Sequence, residues 1–350
     1  MATVYANGFE WSSFYENILS WGGGNNSSGT MITTNLPLSG NYCLHLGRAT
    51  EGANFIRWQI TALDEFYIQV GFKMERPVSE VNDGSILRWQ SGTNIVGMLS
   101  FNPNDQKLSV YVGDHETLAG TSSVQLLYDR WYYVEIYVHL DATTGFIELK
   151  VDGLPQFIFE GASTPSYTTV DMFYILSDGF GNYVAGSSFW VDDIVINDTT
   201  GSVNNSWPNG SKIVLLLPSG RGYSSQWEKT EFLDNYENVD KLPALDPDGY
   251  LYTNITDQLD LYLLEDLPAD AFSVSSVRID AWALKNSGSD IMLKMALRID
   301  DTTYLSEASE LGVSYALVQW LHQIKPGTTA NWTVSDVNDL QGGMESNIPD

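Results

Sequence analysis

Two stretches of the sequence combine an aromatic residue with amide, carboxylate and glycine neighbours, which are the residue types that bind sugars. One follows Trp21 and runs through the glycine- and asparagine-rich segment 22–28, and the other is segment 178–183. An aromatic ring packs against the apolar face of a sugar, while amide and carboxylate groups hydrogen-bond its hydroxyls. We therefore predict a glycan-binding site in these segments. Its residues are Trp21, Asn25, Asn26, Asp178, Asn182 and Tyr183.

A calcium site is the best cofactor prediction. Asp246 and Asp248, in the run Asp-Pro-Asp-Gly, offer the oxygen ligands that Ca²⁺ prefers. Asp178 with Asn182 is a second segment of this type. The run at 246–249 is too short for an EF-hand loop and lacks its terminal glutamate. A simple Pro-Asp-Gly turn is the alternative interpretation.

Residues for catalysis are not found at the required spacing. Two carboxylates on alternate residues of a strand would share one sheet face, as an acid and nucleophile pair requires. The acidic clusters here are adjacent pairs, whose side chains we expect on opposite faces: Asp64-Glu65, Asp192-Asp193, Glu265-Asp266 and Asp300-Asp301. The four histidines are scattered and are expected to be structural or surface residues: His45, His115, His139 and His322. We predict no catalytic residue and no enzymatic activity.

The elements that position these residues are strands. Period-two alternation of apolar and polar residues runs through 65–74, 132–140 and 146–151, as half-buried strands require. Asp152-Gly153 follows the last of these and predicts a tight hairpin, because the turn needs positive φ. Helical signals are few: 335–340 predicts one short turn with Ser335 as N-cap, and 309–323 fits either a strand or a short helix. The pattern predicts an all-β chain built from antiparallel sandwiches or barrels.

The chain divides into two domains. Its 350 residues exceed the size of a typical single domain of roughly 100–200 residues. An alternating run ends near residue 197, a polar segment without periodicity follows, and the apolar run from 212 predicts a new strand. The predicted organisation is a first domain over 1–197, a linker over 198–208 and a second domain over 209–350.

Composition excludes several classes of partner. The net charge is −27, from 17 basic and 44 acidic residues, so the chain repels nucleic acid and anionic membranes. Residues 1–20 show no secretion signal and no apolar run is long enough to span a membrane. The single cysteine, Cys43, cannot form an internal disulfide and is predicted to be a buried small hydrophobe. These features favour a protein folded in a reducing cytoplasm.

The first domain resembles the concanavalin A-like lectin/glucanase jelly rolls, including their laminin-G-like branch. The resemblance rests on residues 131–153, on the closing run 190–196 (WVDDIVI) and on the opening run 7–10 (NGFE). It implies a jelly-roll sandwich in which the first and last strands lie together. Glycan hydrolases of this class carry the pattern Glu-x-Asp-x-x-Glu, which this sequence lacks.

The second domain resembles a β-rich module of tailed-phage virion proteins. The matching segments are 213–218, 224–227, 235–240, 257–262 and 331–343. The resemblance implies a second β-sandwich on the virion surface and no catalytic residues. The full fold prediction is two antiparallel β-sandwich (jelly-roll) domains in tandem.

Three functions follow as hypotheses. The first is a non-enzymatic virion surface protein, as capsid decoration or a tail or fibre component, made in the host cytoplasm and contacting other virion proteins. By analogy it would be a homo-oligomer, with a trimer favoured. The second is a carbohydrate-binding adhesin for host polysaccharide, and the third is a polysaccharide depolymerase. An exposed aromatic cluster on a sheet face would favour the second, and a carboxylate pair about 5–9.5 Å apart in a cleft would favour the third.

Overall fold

A computed structural model describes residues 3–10, 20–22, 30–47, 54–76, 84–114, 116–161, 167–179, 188–241, 249–286 and 291–347. Packing separates the chain into unit 1, Met1–Ile213, and unit 2, Val214–Asp350. Strands dominate both units, which confirms the all-β prediction.

Unit 1 contains two antiparallel sheets within its described residues. Sheet 1 has the strand order β13-β12-β11-β6-β15-β4-β3, with β1 also paired to β15, and sheet 2 has the order β10-β9-β8-β7-β14-β5-β2. The strands are β1 Thr3–Asn7, β2 Ser20–Gly22, β3 Thr30–Thr33, β4 Cys43–Leu46, β5 Asn54–Leu63, β6 Glu65–Met74, β7 Gly84–Ser91, β8 Asn94–Asn102, β9 Lys107–Val112, β10 Thr117–Thr121, β11 Trp131–His139, β12 Phe146–Val151, β13 Leu154–Glu160, β14 Val170–Gly179 and β15 Phe189–Asp198.

The core of unit 1 lies between the inner faces of the two sheets. Phe66 on sheet 1 packs edge-on against Trp89 and Phe173 on sheet 2, with ring centroids 6.4 and 5.3 Å apart. Trp58 stacks on Phe173 at 6.0 Å. Side chains of a strand alternate between faces, so this packing directs the neighbours of each core residue to the outer faces. The architecture is a two-sheet sandwich.

Two local predictions for unit 1 are confirmed. The first and last strands pair, with Ala6 opposite Val195 in an antiparallel register. Asp152 and Gly153 form the two-residue turn between β12 and β13, with φ of 49° and 74°. Positive φ at both positions matches the right-handed twist of the strands that they join.

Residues 198–213, which include the predicted linker, lie against sheet 1. The amide of Asn209 donates to Glu135 at 2.7 Å, and the amide of Gly210 donates to Gln69 at 2.8 Å. The prediction of a strand beginning at 212 is wrong, because the next strand begins at Pro218. The backbone around 209–213 bonds to side chains on sheet 1 instead of to a neighbouring strand.

Unit 2 contains one larger sheet and two short strand pairs within the residues described. Sheet 3 has the order β16-β19-β25-β21-β22, with β23 also paired to β21. The pairs are β17-β18 and β20-β24. The elements are β16 Pro218–Ser225, β17 Glu228–Lys229, a 3₁₀ turn Tyr236–Asn238, β18 Leu251–Tyr252, β19 Leu259–Leu264, β20 Val277–Ala283, β21 Met292–Ile299, β22 Thr302–Leu305, β23 Ser309–Glu310, β24 Ala316–His322, α1 Val334–Asn338 and β25 Gln341–Asn347.

The core of unit 2 joins sheet 3, the β20-β24 pair and α1. Met295 and Leu297 of sheet 3 cluster with Ile279 of β20 and Trp332. The ambiguous segment 309–323 forms strands. The predicted N-cap Ser335 is wrong by two residues, because Thr333 caps α1 through a reciprocal bond with Asp336.

Asp260 connects three of the segments that resemble the virion module: 224–227, 235–240 and 257–262. Its buried carboxylate accepts hydrogen bonds from the backbone amides of Gln226 and Trp227, from the Asn235 amide at 2.5 Å and from the Tyr262 hydroxyl at 3.1 Å. Four donors surround one buried carboxylate, so Asp260 connects these segments, and we call it the structural hub of unit 2.

No helix among the residues covered by the structure is both long enough and apolar enough to cross a membrane.

Replacing Asp260 by asparagine tests this hub. Asp260→Asn keeps one acceptor oxygen but turns an NH₂ group towards donors, so we expect unit 2 to lose about 2–4 kcal/mol of stability. Asp257→Asn is the matched control, because Asp257 lies in an exposed turn at φ 58°, where asparagine is tolerated, and should change stability by less than about 0.5 kcal/mol. Urea unfolding followed by tryptophan fluorescence measures both, and equal effects would contradict the hub.

Candidate functional site

The predicted glycan and calcium residues lie where the structure gives no side-chain description. Trp21 lies in β2 and Asp178 in β14, and of these two residues only the backbone is described. The others lie outside the described residues, so they stay predictions: Asn25, Asn26, Asn182, Tyr183, Asp246 and Asp248.

A row of side chains crosses the outer face of sheet 2. In the antiparallel register, Tyr174 on β14 lies opposite Arg57 on β5 and opposite Arg88 on β7. Arg88 lies opposite Met98 on β8, which lies opposite Tyr111 on β9. Five neighbouring strands therefore place Arg57, Tyr174, Arg88, Met98 and Tyr111 side by side.

Contacts within the row hold its polar groups at the surface of the sheet. The Arg57 guanidinium donates to the Tyr174 hydroxyl at 3.1 Å, and Arg88 donates to the Ser85 hydroxyl at 3.4 Å. Both arginines and both tyrosines are half-buried, whereas Met98 is fully buried. Other atoms therefore cover Met98, and the Nε of Arg88 beside it is buried as well.

Further polar side chains adjoin the row. Ser100 on β8 and Ser109 on β9 lie opposite each other, two residues along the strands from Met98 and Tyr111. Ser100 is fully buried, and its hydroxyl has no hydrogen-bond partner among the described residues. A face that combines guanidinium, phenol and hydroxyl groups can exchange hydrogen bonds with a hydroxylated ligand.

Sequence reasoning missed this row, although a signal for it was present. The triplet Arg-Trp-Gln occurs at 57–59 and again at 88–90. In each triplet the tryptophan is directed into the core, with Trp58 0% and Trp89 1% exposed. The arginines are thereby directed outward. That both flank β14 depends on strand order, which the triplets do not specify.

An aromatic cluster on the outer face of sheet 1 is used for packing within unit 1. Tyr67 and Tyr137 stack on each other with centroids 4.5 Å apart, and Trp207 lies edge-on to Tyr67 at 5.2 Å. The Lys150 ammonium covers one face of Trp207 at 3.5 Å. Because these rings pack against one another and against Lys150, the cluster attaches the segment around Trp207 to sheet 1.

Asp192 and Asp193 are buried and bind neighbouring segments of the chain, and we call this pair the buried anchor. The expectation that their side chains face opposite sides of the sheet is wrong. A bulge lies between Asp192 and Val195, and Asp193 has φ 46°. Both carboxylates consequently reach Ser39: its amide donates to Asp192 at 3.2 Å, and its hydroxyl donates to Asp193 at 2.7 Å. Tyr133 and the amide of Ile213 also donate to Asp193, at 3.0 and 2.8 Å.

Burial governs the acid–base properties of this anchor. Burial and the neighbouring Asp193 carboxylate raise the pKa of Asp192 to about 8, and burial also raises the pKa of Asp193. Burial likewise raises the pKa of Glu10 to about 7, although its carboxylate accepts the amides of Asn41 and Tyr42. These oxygens point at N–H and O–H donors of the fold, so the anchor stabilises the chain around 38–42 and 213.

Other candidate groups have structural surroundings. His45 stacks on Trp190 at 4.7 Å, His322 lies 3.9 Å from the Trp320 ring centroid, His139 ends β11, and His115 lies outside the described residues. Cys43 is buried. Within the part of the chain that the structure describes, no group of three or more His, Cys, Asp or Glu residues is arranged to hold a metal ion.

Comparisons with known proteins add fold-level similarities. No family model and no curated protein matches the sequence. Among solved structures, the cellulose-induced protein Cip1 has a TM-score of 0.43 at 15% identity, over 56% of this chain and 97% of its own. The alginate lyase Aly36B has a TM-score of 0.39 at 11% identity, over 56% and 98%. The carbohydrate-binding module CBM66 from Bacillus subtilis has a TM-score of 0.36 at 8% identity, over 53% and 100%. TM-scores below 0.5 define no family for this chain.

Removing one donor tests the buried anchor. Tyr133→Phe deletes a hydrogen bond to the Asp193 carboxylate, so we expect unit 1 to lose about 1.5–3 kcal/mol. Tyr128→Phe is the control, because it deletes a bond to the neutral Pro103 carbonyl, which is worth about 0.5–1.5 kcal/mol. Equal losses in chemical denaturation would contradict the anchor.

His322 gives unit 2 a pH-dependent stability. Burial lowers the pKa of His322 to about 4, and its Nε2 has no partner among the residues described. Because the unfolded chain binds this proton more tightly, stability falls as pH drops from the ordinary histidine pKa near 6.5 towards 4. The loss should be about 1–2 kcal/mol, allowing for partial exposure.

A variant isolates the contribution of His322. The stability difference between pH 7 and pH 4.5 should be smaller in His322→Phe than in the unsubstituted protein, by that same amount. An identical pH dependence in thermal unfolding of the two proteins would show that other groups cause the loss.

Proposed function

We propose that this protein binds carbohydrate through the outer face of sheet 2 in unit 1. The observation that carries the proposal is the row in which Tyr174 lies between Arg57 and Arg88 on adjacent strands. Guanidinium and phenol groups hydrogen-bond sugar hydroxyls and carboxylates. The similarity to a carbohydrate-binding module and to a polysaccharide-degrading enzyme concerns the fold and is not part of this support.

The outer face of sheet 1 is the less suitable site. On sheet 1, the polar and aromatic groups are used by segments 33–42 and 199–213 of the chain itself. On sheet 2, the central row combines two cationic side chains and two phenols that are half-buried. A face that binds carbohydrate must present hydrogen-bonding groups such as these guanidinium and phenol groups.

The proposed activity is binding without turnover. Arginine stays protonated at neutral pH and cannot act as a general base, so the two charged side chains in the row serve recognition. The alternative, a depolymerase, requires an acid and a base at the bound glycan. Release of reducing ends from a bound polysaccharide would favour that alternative.

A second proposal concerns the biological setting of this binding. We propose that the chain is a virion surface component whose unit 2 contacts other virion proteins or further copies of the chain. Phe272, Leu233 and Tyr223 are 93%, 86% and 69% exposed, and Tyr250 and Tyr252 form an exposed ring pair 6.1 Å apart. The exposed Tyr250-Tyr252 pair supports a contact surface on unit 2, as does the resemblance of segments within residues 213–343 to the phage module.

Tyr174→Ala tests the binding face. We expect association with a polysaccharide from a screened panel to weaken about tenfold or more, equivalent to ~1.4 kcal/mol, because a central hydroxyl and ring are lost. Tyr223→Ala, an exposed tyrosine of unit 2, is the control and should bind normally. Calorimetry measures affinity, and an unfolding curve checks the fold of each variant. Loss of binding only in Tyr223→Ala would place the site in unit 2 and overturn the proposal.

Immunogold labelling tests the setting. Antibodies against residues 1–197 and against 209–350 are expected to label intact phage particles at the head surface or the tail. The antibody against the outward-facing unit should give the stronger label. Particles that carry neither label would contradict the virion proposal and leave carbohydrate binding as a property of a free protein.

A further inference from the structure

One side of unit 1 is formed by two edge strands that pack against each other. Within the described residues, β13 lies at one end of sheet 1 and β10 at one end of sheet 2. A Cβ atom added to Gly120 on β10 would lie 2.5 Å from the Phe157 ring on β13, so the two strands are in close contact there. The Ser123 hydroxyl and the Val124 amide, which follow β10, donate to the Gln156 side chain on β13 at 2.8 and 3.2 Å. These strands and the segment after β10 therefore form one continuous surface.

Large apolar side chains are exposed along this surface. Residues 117–128 and 154–159 form it, and we call it the β10–β13 side. Among the residues of unit 1 that the structure describes, the one other exposed large apolar residue is Leu36. A group of exposed apolar side chains is typical of a contact surface, whereas single ones are ordinary. The exposed large apolar residues of the β10–β13 side are Leu118, Val124, Leu127, Leu154 and Ile158.

The β10–β13 side carries no charged residue. Charged residues make up 17% of the chain, and the net charge is −27, yet residues 117–128 (TLAGTSSVQLLY) and 154–159 (LPQFIF) contain none. Acidic residues lie directly outside these segments instead, with Glu116 and Asp129 next to the first and Glu160 after the second. Two copies of a chain with this net charge repel each other. They approach most easily where neither copy presents a charge.

The backbone of these edge strands is poorly suited to pairing with a further strand. Register shifts interrupt β10 between Leu118 and Gly120, and they interrupt the pairing of β13 next to Pro155. A bulge twists an edge away from a partner strand, and proline has no N–H to donate. A partner therefore contacts this side through apolar side chains and does not extend either sheet.

We propose that the β10–β13 side is the surface through which two copies of this chain form a dimer. Both copies use the same surface about a two-fold axis, because an apolar and uncharged surface is complementary to itself. The trimer favoured by analogy would instead need contacts between two different surfaces. This inference goes beyond the carbohydrate binding proposed above and does not depend on it.

Sedimentation velocity of the 350-residue protein tests the proposal without any glycan. Over a concentration series, the protein should reach a mass twice the 38.9 kDa of one chain. Leu118→Glu and Leu154→Glu each place a carboxylate in the contact, where burial without a partner is costly. Each should weaken dimerisation at least tenfold, and the double variant should be monomeric.

Leu36→Glu is the matched control. Leu36 and Leu154 are both 65% exposed, so the two substitutions add the same charge at equally accessible leucines, and Leu36→Glu should dimerise normally. Equal weakening by Leu36→Glu would assign the effect to net charge and overturn the proposal. A monomer at every concentration, a trimer, or a dimer that persists in the double variant would also overturn it. Unfolding curves check the fold of every variant.

Added salt gives an independent readout. Raising sodium chloride from about 50 mM to about 500 mM should tighten the dimer, because screening reduces the repulsion between two acidic copies. The β10–β13 side has no charged groups whose attraction salt would weaken. Weaker dimerisation at high salt would show that opposite charges hold the copies together, and it would contradict an apolar contact.

Discussion

The burial of Trp58, Phe173 and Trp89 between the sheets of unit 1 is the constraint on which the proposed site depends. These rings lie side by side on β5, β14 and β7, and Phe66 of the opposite sheet packs against Phe173 and Trp89. A shift of one residue in any of these strands would expose a large ring, and in β5 or β7 it could also bury an arginine. The core therefore sets the register, and the register places Arg57, Tyr174 and Arg88 together on the outer face.

Buried carboxylates hold the segments that are not strands. Asp192 and Asp193 bind the chain around Ser39 and Ile213 in unit 1, while Asp260 binds the chain around Trp227 and Asn235 in unit 2. A buried carboxylate is costly unless donors surround it, and each of these accepts several. Such groups join the loops to a defined place on the sheets, so part of the acidic composition has a structural use.

The two outer faces of unit 1 consequently have different uses. The face of sheet 1 is largely used for internal contacts, in which Tyr67, Tyr137 and Trp207 pack together. Asp193 accepts four hydrogen bonds there. Its carboxylate accepts from Ser39, Tyr133 and Ile213, and its backbone oxygen accepts from Gln69. The face of sheet 2 carries Arg57 and Arg88 on either side of Tyr174. This difference, and not the presence of aromatic residues alone, distinguishes a face that holds other segments of the chain from a face suited to a ligand.

Much of the fold could be predicted from the sequence, but the candidate site could not. Alternation identifies β6, β11 and β12, and Asp152-Gly153 identifies the hairpin between β12 and β13, because these signals are local. The strand order that brings Arg57 and Arg88 to either side of Tyr174 depends on contacts between distant segments. Similarly, alternation assigns opposite faces to Asp192 and Asp193, whereas a bulge and a positive φ bring both to one face. The repeated Arg-Trp-Gln triplet was the sequence signal available for the site, and its meaning required the register.

The decisive measurement is a crystal structure of the protein with a bound oligosaccharide. We expect the oligosaccharide on the outer face of sheet 2, with its chain crossing β14 at Tyr174. An oligosaccharide bound on sheet 1 or on unit 2, with the Arg57–Tyr174–Arg88 row uncontacted, would contradict it.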